Sequence, residues 1–144
     1  MNIAILCDFP FPNGLAATNR IISYSKGLVN FGNTVTVYVY RPTEKKTLIR
    51  NPNGVGDFEG VLFKYPYNNT IRFSSKLLHL FENIFGIVNT FYVIKKNQKK
   101  QPIDVLIISN DNPFILFIFS YLSRLIKTKK IVFIFDEFPK PIRK

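Results

Sequence analysis

The fold is decided near the N-terminus by the stretch Ile3-Ala4-Ile5-Leu6-Cys7-Asp8-Phe9-Pro10-Phe11-Pro12-Asn13-Gly14-Leu15-Ala16-Ala17-Thr18-Asn19-Arg20. The unbroken apolar run from Ile3 to Cys7 is typical of a strand that is covered on both faces. Two prolines and the pair Asn13-Gly14 end that strand. Apolar residues then recur at helical spacing after Thr18. This order of strand, turn and helix predicts an anion site, because free N–H groups and the helix dipole meet there.

Length and composition bound the class of protein. The 144 residues suit one domain, and 47% of them are hydrophobic, which is enough to form a core. The single cysteine, Cys7, excludes a disulfide framework within the chain. The N-terminus lacks the basic and apolar pattern of a secretion signal, so we expect a cytoplasmic protein.

The net charge of +11 leaves three interpretations open. The lysines cluster at predicted helix ends and loops, where the helix dipole favours them without any partner. An anionic membrane surface or a nucleic acid would also attract them. No zinc-ligand spacing and no aromatic RNA-binding motif supports the last of these. We therefore expect no nucleic-acid partner and keep the membrane surface as an alternative.

Strands and helices alternate along the chain. Strands are predicted at 2–7, 34–40, 61–65, 104–108 and 130–135, and helices at 17–31, 74–97 and 113–127. Gly32 is expected to follow the first helix in a left-handed conformation. Asn112 is expected to cap the helix that begins at Pro113. Residues 43–59 are polar and rich in turn residues, so they are predicted to form a loop.

The long helix has an apolar stripe whose role stays open at this point. Its members are Leu77, Leu80, Phe81, Ile84, Val88, Phe91 and Ile94. Packing in the core is the favoured interpretation, and a helix on a membrane surface is the alternative. Polar residues on the same helix disfavour a membrane span. The only histidine, His79, is expected to lie away from the ligand crevice.

The alternation predicts an α/β fold, a Rossmann-like three-layer domain with a mostly parallel sheet in the strand order 3-2-1-4-5. Ligands of such sheets bind outside the carboxyl ends of the strands, where the winding reverses. We therefore expect the loop from Asp8 to Thr18 to face the loop from Ser109 to Asn112. Asp136 and Glu137 follow the last strand. Three roles stay open for them: a general base, a pair that binds a hydroxyl group, or a solvated strand end.

Several enzyme motifs are absent. The chain has neither the dinucleotide fingerprint G-x-G-x-x-G nor the phosphate-binding loop that ends in Gly-Lys-Ser/Thr. Their absence disfavours hydride transfer and nucleoside triphosphate hydrolysis. No pair of a nucleophile and a histidine can be assembled, and we expect neither a metal site nor a cofactor.

The chain resembles the N-terminal domain of family 4 glycosyltransferases of the GT-B fold. The resemblance rests on the stretch quoted first and on three later segments, Lys26-Gly27-Leu28 with Phe31-Gly32-Asn33-Thr34-Val35-Thr36-Val37, Pro102-Ile103-Asp104-Val105-Leu106-Ile107-Ile108-Ser109, and Ile131-Val132-Phe133-Ile134-Phe135-Asp136-Glu137-Phe138-Pro139. It spans the whole chain. It implies transfer of a sugar, with retention, from a nucleotide-sugar donor to a glycan or lipid-linked acceptor. The basic charge and the apolar helices would suit a lipid-linked or cell-envelope acceptor.

The resemblance also implies where substrates bind. The implied substrate-binding residues are Asn13, Gly14, Ala16, Thr18, Ser109, Asn110, Asp136 and Glu137. Asn13 stands where the family usually has the first of two glycines, and Ser109-Asn110 stand where many members have a histidine. No catalytic residue is therefore assigned.

The same resemblance implies that residues 1–144 are only half of an enzyme. The family's C-terminal domain, which holds most of the nucleotide-sugar contacts, is absent from the sequence. The isolated domain is expected to be inactive and, given its basic charge and apolar helices, to be peripheral on the inner face of the membrane. The alternative is a non-catalytic basic module that binds an anionic membrane surface or a protein partner.

Overall fold

The computed structural model describes residues 1–98 and 101–135. Six strands form one sheet: β1 Asn2–Cys7, β2 Thr34–Val39, β3 Val55–Phe58, β4 Val61–Lys64, β5 Val105–Ser109 and β6 Lys130–Ile134. The helices are α1 Ala16–Asn30, α2 Lys76–Gln98 and α3 Pro113–Leu125, with a short 3₁₀ helix at Pro66–Asn68. The chain thus has the predicted α/β architecture.

The strand order is β3-β4-β2-β1-β5-β6, and only β3 runs antiparallel to its neighbour. The predicted order 3-2-1-4-5 is corrected in one respect. The five predicted strands keep their relative positions, but the sheet has a sixth strand, Val55–Phe58, in the segment that was predicted to be a loop. Glu59 and Gly60 join it to β4, both with positive φ, as a two-residue hairpin turn requires.

The core has two halves because alternate residues of each strand point to opposite faces. Side chains such as Ile5, Val37 and Ile107 point to the face that α1 covers. Side chains such as Leu6 and Ile108 point to the face that α2 and α3 cover. The central strands are therefore buried on both faces, which explains their continuous apolar sequence.

Both predicted helix-end signals are confirmed. Gly32 has φ +77° directly after α1. Asn112 precedes Pro113 at the start of α3, and its side chain accepts a hydrogen bond of 2.9 Å from the backbone N–H of Phe114. These ends depend on local chemistry, which is why the sequence alone predicts them.

The favoured interpretation of the α2 stripe is wrong for most of its length. Five of its seven residues are exposed, namely Leu77, Leu80, Phe81, Ile84 and Val88. The helix rests on the sheet through a buried row that includes Gly86, Thr90 and, from the stripe itself, Ile94. Gly86 lets the helix approach closely, because a Cβ there would collide with the carbonyl oxygen of Tyr40.

Candidate functional site

The loop between β1 and α1 is held from its inner side by Tyr65. The Tyr65 hydroxyl accepts a hydrogen bond from the backbone N–H of Phe11 at 2.9 Å and donates one to the Phe11 carbonyl at 3.0 Å. Burial raises the pKa of Tyr65 to about 12, so the hydroxyl keeps its proton at neutral pH. The backbone of this loop is therefore fixed before any ligand arrives.

Gly14 and Thr18 have clear roles inside the same loop. The Thr18 hydroxyl is buried and donates a hydrogen bond of 2.6 Å to the carbonyl of Pro10. A Cβ on Gly14 would overlap that hydroxyl. Packing within the loop thus accounts for both residues, and their predicted contact with substrate stays a prediction.

A second segment closes over the outside of the loop. The backbone N–H of Asn13 donates to the Asn51 side chain at 2.8 Å, and the Asn51 amide donates to the Asn13 carbonyl at 2.9 Å. The same amide group donates to Glu44 at 2.7 Å, and Glu44 is only 3% exposed. The Asn13 side chain donates to the carbonyl of Arg50. Both the backbone and the side chain of Asn13 are thereby hydrogen-bonded to the segment 44–51.

Ala16 lies at an open helix end. It is exposed and is the first residue of α1, and the preceding Leu15 provides no side-chain cap. The N–H groups of the first helical turn therefore point outward without a capping side chain, and the positive end of the helix dipole lies there. This end of α1 is the part of the predicted anion site that stays accessible.

Ser109 and Asn110 are buried at the carboxyl end of β5. The Asn110 amide donates a hydrogen bond of 2.8 Å to the Tyr40 hydroxyl, and its carbonyl oxygen accepts one of 2.8 Å from the backbone N–H of Asn112. Burial, and next the negative charge of Asp8, raise the pKa of Tyr40. Tyr40 thus connects the loop after β5 with the start of the loop after β1, as the predicted facing of these loops requires.

Asp136 and Glu137, the remaining predicted site residues, lie outside the described residues.

A charged cleft of about 270 Å³ lies at the carboxyl ends of β1 and β2. Asp8, Arg41, Arg72 and His79 line it together with apolar neighbours. Arg41 forms an ion pair of 2.9 Å with the Asp8 carboxylate and also donates to the Asp8 carbonyl at 3.1 Å. Within residues 1–98 and 101–135, no acidic side chain forms an ion pair with Arg72.

A second cavity of about 360 Å³ adjoins the cleft through Arg72 and His79. Lys45 and Lys46 line its other side. The two cavities share Arg72 and His79, and we call them together the basic cleft. The described side chains that line it include two guanidinium groups, two ammonium groups and one carboxylate, that of Asp8. The summed charge favours an anionic ligand, and paired arginines suit a phosphate or carboxylate in particular.

Sequence reasoning missed Arg41, Arg72 and His79. His79 was expected to lie away from the crevice, but α2 begins at the carboxyl edge of the sheet, which brings this residue beside Asp8 and Arg41. Arg41 could have been predicted from the sequence, because it follows a buried strand at the edge where α/β sheets bind ligands. No local pattern predicts the positions of Arg72 and His79, because the long segment before α2 decides where they lie.

The arrangement can bind an anion. A histidine and a carboxylate, those of His79 and Asp8, line the same cleft. In the part of the chain that the structure describes, no group of three or more His, Cys, Asp or Glu side chains is placed to hold a metal ion. Recognition of an anion is what these residues can do by charge and geometry alone.

The comparisons with known proteins identify no relative. No protein-family model, no curated protein and no solved structure matches the chain.

Proposed function

We propose that this chain is the Rossmann-like, acceptor-side domain of a retaining glycosyltransferase, and that the basic cleft binds the phosphate groups of its acceptor. The observation that carries the proposal is the position of the cleft. It opens at the carboxyl ends of β1 and β2, the edge where α/β sheets bind ligands, and it combines Arg41, Arg72 and His79.

Charge narrows the class of acceptor. A neutral glycan would not need the positive charges of Arg72, Lys45 and Lys46 around two adjoining cavities, whereas the diphosphate of a lipid-linked sugar would. The open end of α1, at Ala16, adds N–H groups and a positive dipole for a second anionic group. That group is the leaving diphosphate of the donor, whose stabilisation is the main electrostatic task in such a transfer.

The proposal requires a donor-binding domain in addition to these 144 residues. In that arrangement the nucleotide-sugar lies between the two domains, and the reaction needs both. The chain by itself then binds an acceptor without turnover, and binding is the property to measure.

Calorimetric titration with a water-soluble sugar diphosphate on a short prenyl chain tests the proposal directly. We expect binding that the Arg72→Gln variant weakens roughly tenfold or more, because a charge-assisted hydrogen bond is lost. Lys130→Gln is the matched control: it removes one positive charge from an exposed residue at the start of β6, on the opposite edge of the sheet.

Two results would count against the proposal. Equal weakening by both variants would mean that net charge, and not the cleft, attracts the ligand. Tighter binding of a duplex or single-stranded nucleic acid, with a steep dependence on salt, would instead support a nucleic-acid-binding function.

A further inference from the structure

Helices α2 and α3 present a broad apolar surface to the outside. It consists of Leu80, Ile84 and Val88 on α2 and Phe114, Phe117 and Tyr121 on α3, which are 51% to 71% exposed. We call it the outer apolar surface. Exposed single hydrophobic residues are ordinary, but six large ones on two adjacent helices mark an interaction site.

The two helices are firmly attached to the sheet beneath this surface. Ile94 on α2 and Phe119 on α3 are buried in the same half of the core, and the Phe119 ring lies 5.1 Å from that of Tyr40. Between the helices, above this contact, runs a groove of about 570 Å³ with an almost wholly apolar lining. The exposure is therefore a property of the folded domain.

Positive charge lies at one end of the outer apolar surface, where α2 and α3 both end. Lys95 and Lys96 are exposed in the last turn of α2, and Lys127 is exposed just after α3. The lysine stems can lie along apolar surface while their ammonium groups reach outward. An apolar surface with exposed lysines at its end matches the interface of an anionic bilayer, where acyl chains lie below negatively charged headgroups.

A second copy of the chain matches this surface less well. Face-to-face pairing would bring together two molecules that each have a net charge of +11. Such repulsion opposes association, whereas an anionic lipid surface neutralises the same charges. Charge complementarity therefore decides between the two occupants.

We propose that the outer apolar surface docks on an anionic lipid bilayer, with α2 and α3 lying in the plane of its interface. The helix Leu77–Gln98 is also long and apolar enough to cross a membrane by length and composition. Crossing would pull Gly86, Thr90 and Ile94 out of the core, which docking leaves intact. This proposal stands apart from the proposed function, since it uses none of the residues of the basic cleft.

Vesicle sedimentation with the full chain tests the proposal. Vesicles of phosphatidylcholine with about one-third phosphatidylglycerol should bind the protein, and vesicles of phosphatidylcholine alone should bind it weakly. Added salt should reduce the binding, because it screens the lysines.

Two variants probe the apolar part of the contact. Phe117→Gln and Val88→Gln should each lower the partition coefficient several-fold to roughly tenfold, since an apolar side chain no longer enters the interface. Phe31→Gln is the matched control, because Phe31 is 87% exposed but follows α1 on the other face of the sheet. Thermal unfolding should show that all three variants remain folded.

Three results would overturn the proposal. One is equal loss of binding in Phe31→Gln and Phe117→Gln. Another is a dimer in sedimentation equilibrium that Phe117→Gln dissociates, without binding to vesicles. The third is resistance of the bound protein to extraction by alkaline carbonate, which would indicate a spanning helix. Sugar-diphosphate binding by the Phe117→Gln variant should stay unchanged, so the two proposals fail separately.

Discussion

Single side chains organise the carboxyl edge of the sheet. Tyr65 is 1% exposed and satisfies both backbone groups of Phe11, and its hydroxyl lies 3.2 Å from that of Thr43. One phenol thus joins the end of β4 to the loop after β1 and to the segment after β2. Buried hydrogen bonds of this kind contribute less by their own strength than by the cost of leaving their partners unpaired.

Tyr65→Phe should therefore lower the free energy of unfolding by about 1–3 kcal/mol below pH 10. The folded-state pKa of Tyr65 is raised from 10.0 to about 12, so its contribution is fully present below pH 10 and is lost as the pH rises through 12. The difference in the free energy of unfolding between wild type and variant should become smaller between pH 10 and pH 12. Urea unfolding of both proteins below pH 10 and near pH 12 measures it, and a constant difference would contradict the assignment.

The position of α2 is the main question at the scale of secondary structure. Its close contact with the sheet occurs at Gly86, against the carbonyl oxygen of Tyr40. The same contact determines which row of the helix faces inward and which forms the outer apolar surface. It also holds the first turns of α2, with His79, beside the basic cleft.

Gly86→Ala should destabilise the fold by about 1–3 kcal/mol, although alanine favours helices, because the added methyl group would push α2 away from the sheet. The matched control is Gly27→Ala in α1, where a Cβ would meet nothing within 4 Å. The free energy of unfolding of that variant should rise by about 0.5–1 kcal/mol, because alanine has a higher helix propensity than glycine. Thermal unfolding compares the two variants. A higher stability of both would mean that α2 does not depend on a close approach at Gly86.

Charge dominates at the scale of the whole molecule. The chain has 20 lysines and arginines against 9 acidic residues, and only some of them are paired. Among the described residues, exposed pairs such as Lys26 with Glu59 contribute little. The remaining positive charges repel one another in the folded state, and an anionic partner relieves that repulsion.

Sodium chloride should accordingly raise the melting temperature by a few degrees, because it screens the self-repulsion. Lys130→Glu, which places a negative charge on the exposed start of β6, should reduce the gain. Melting curves at low and high salt measure both effects. A melting temperature that falls with salt would show that attractive ion pairs outweigh the repulsion.

Local sequence was sufficient for the central elements. The apolar runs of β1, β2 and β5 predicted strands buried on both faces, and Gly32, Asn112 and Pro113 marked helix ends. Each of these features depends on backbone chemistry within a few residues. The β3 strand escaped the same reasoning because Gly56 and Asp57 are weak strand formers, and pairing with β4 compensates for that weakness.

The amino-acid sequence by itself determined the α/β alternation and the central parallel strands, because period, caps and handedness follow from short-range physics. Only the tertiary structure decided that Arg72 and His79 join Arg41 and Asp8 in one cleft, that Asn51 and the carbonyl of Arg50 hold Asn13, and that most of the α2 stripe faces outward. These outcomes depend on contacts between segments far apart in the chain, and no local pattern records which of two apolar helix faces meets the sheet.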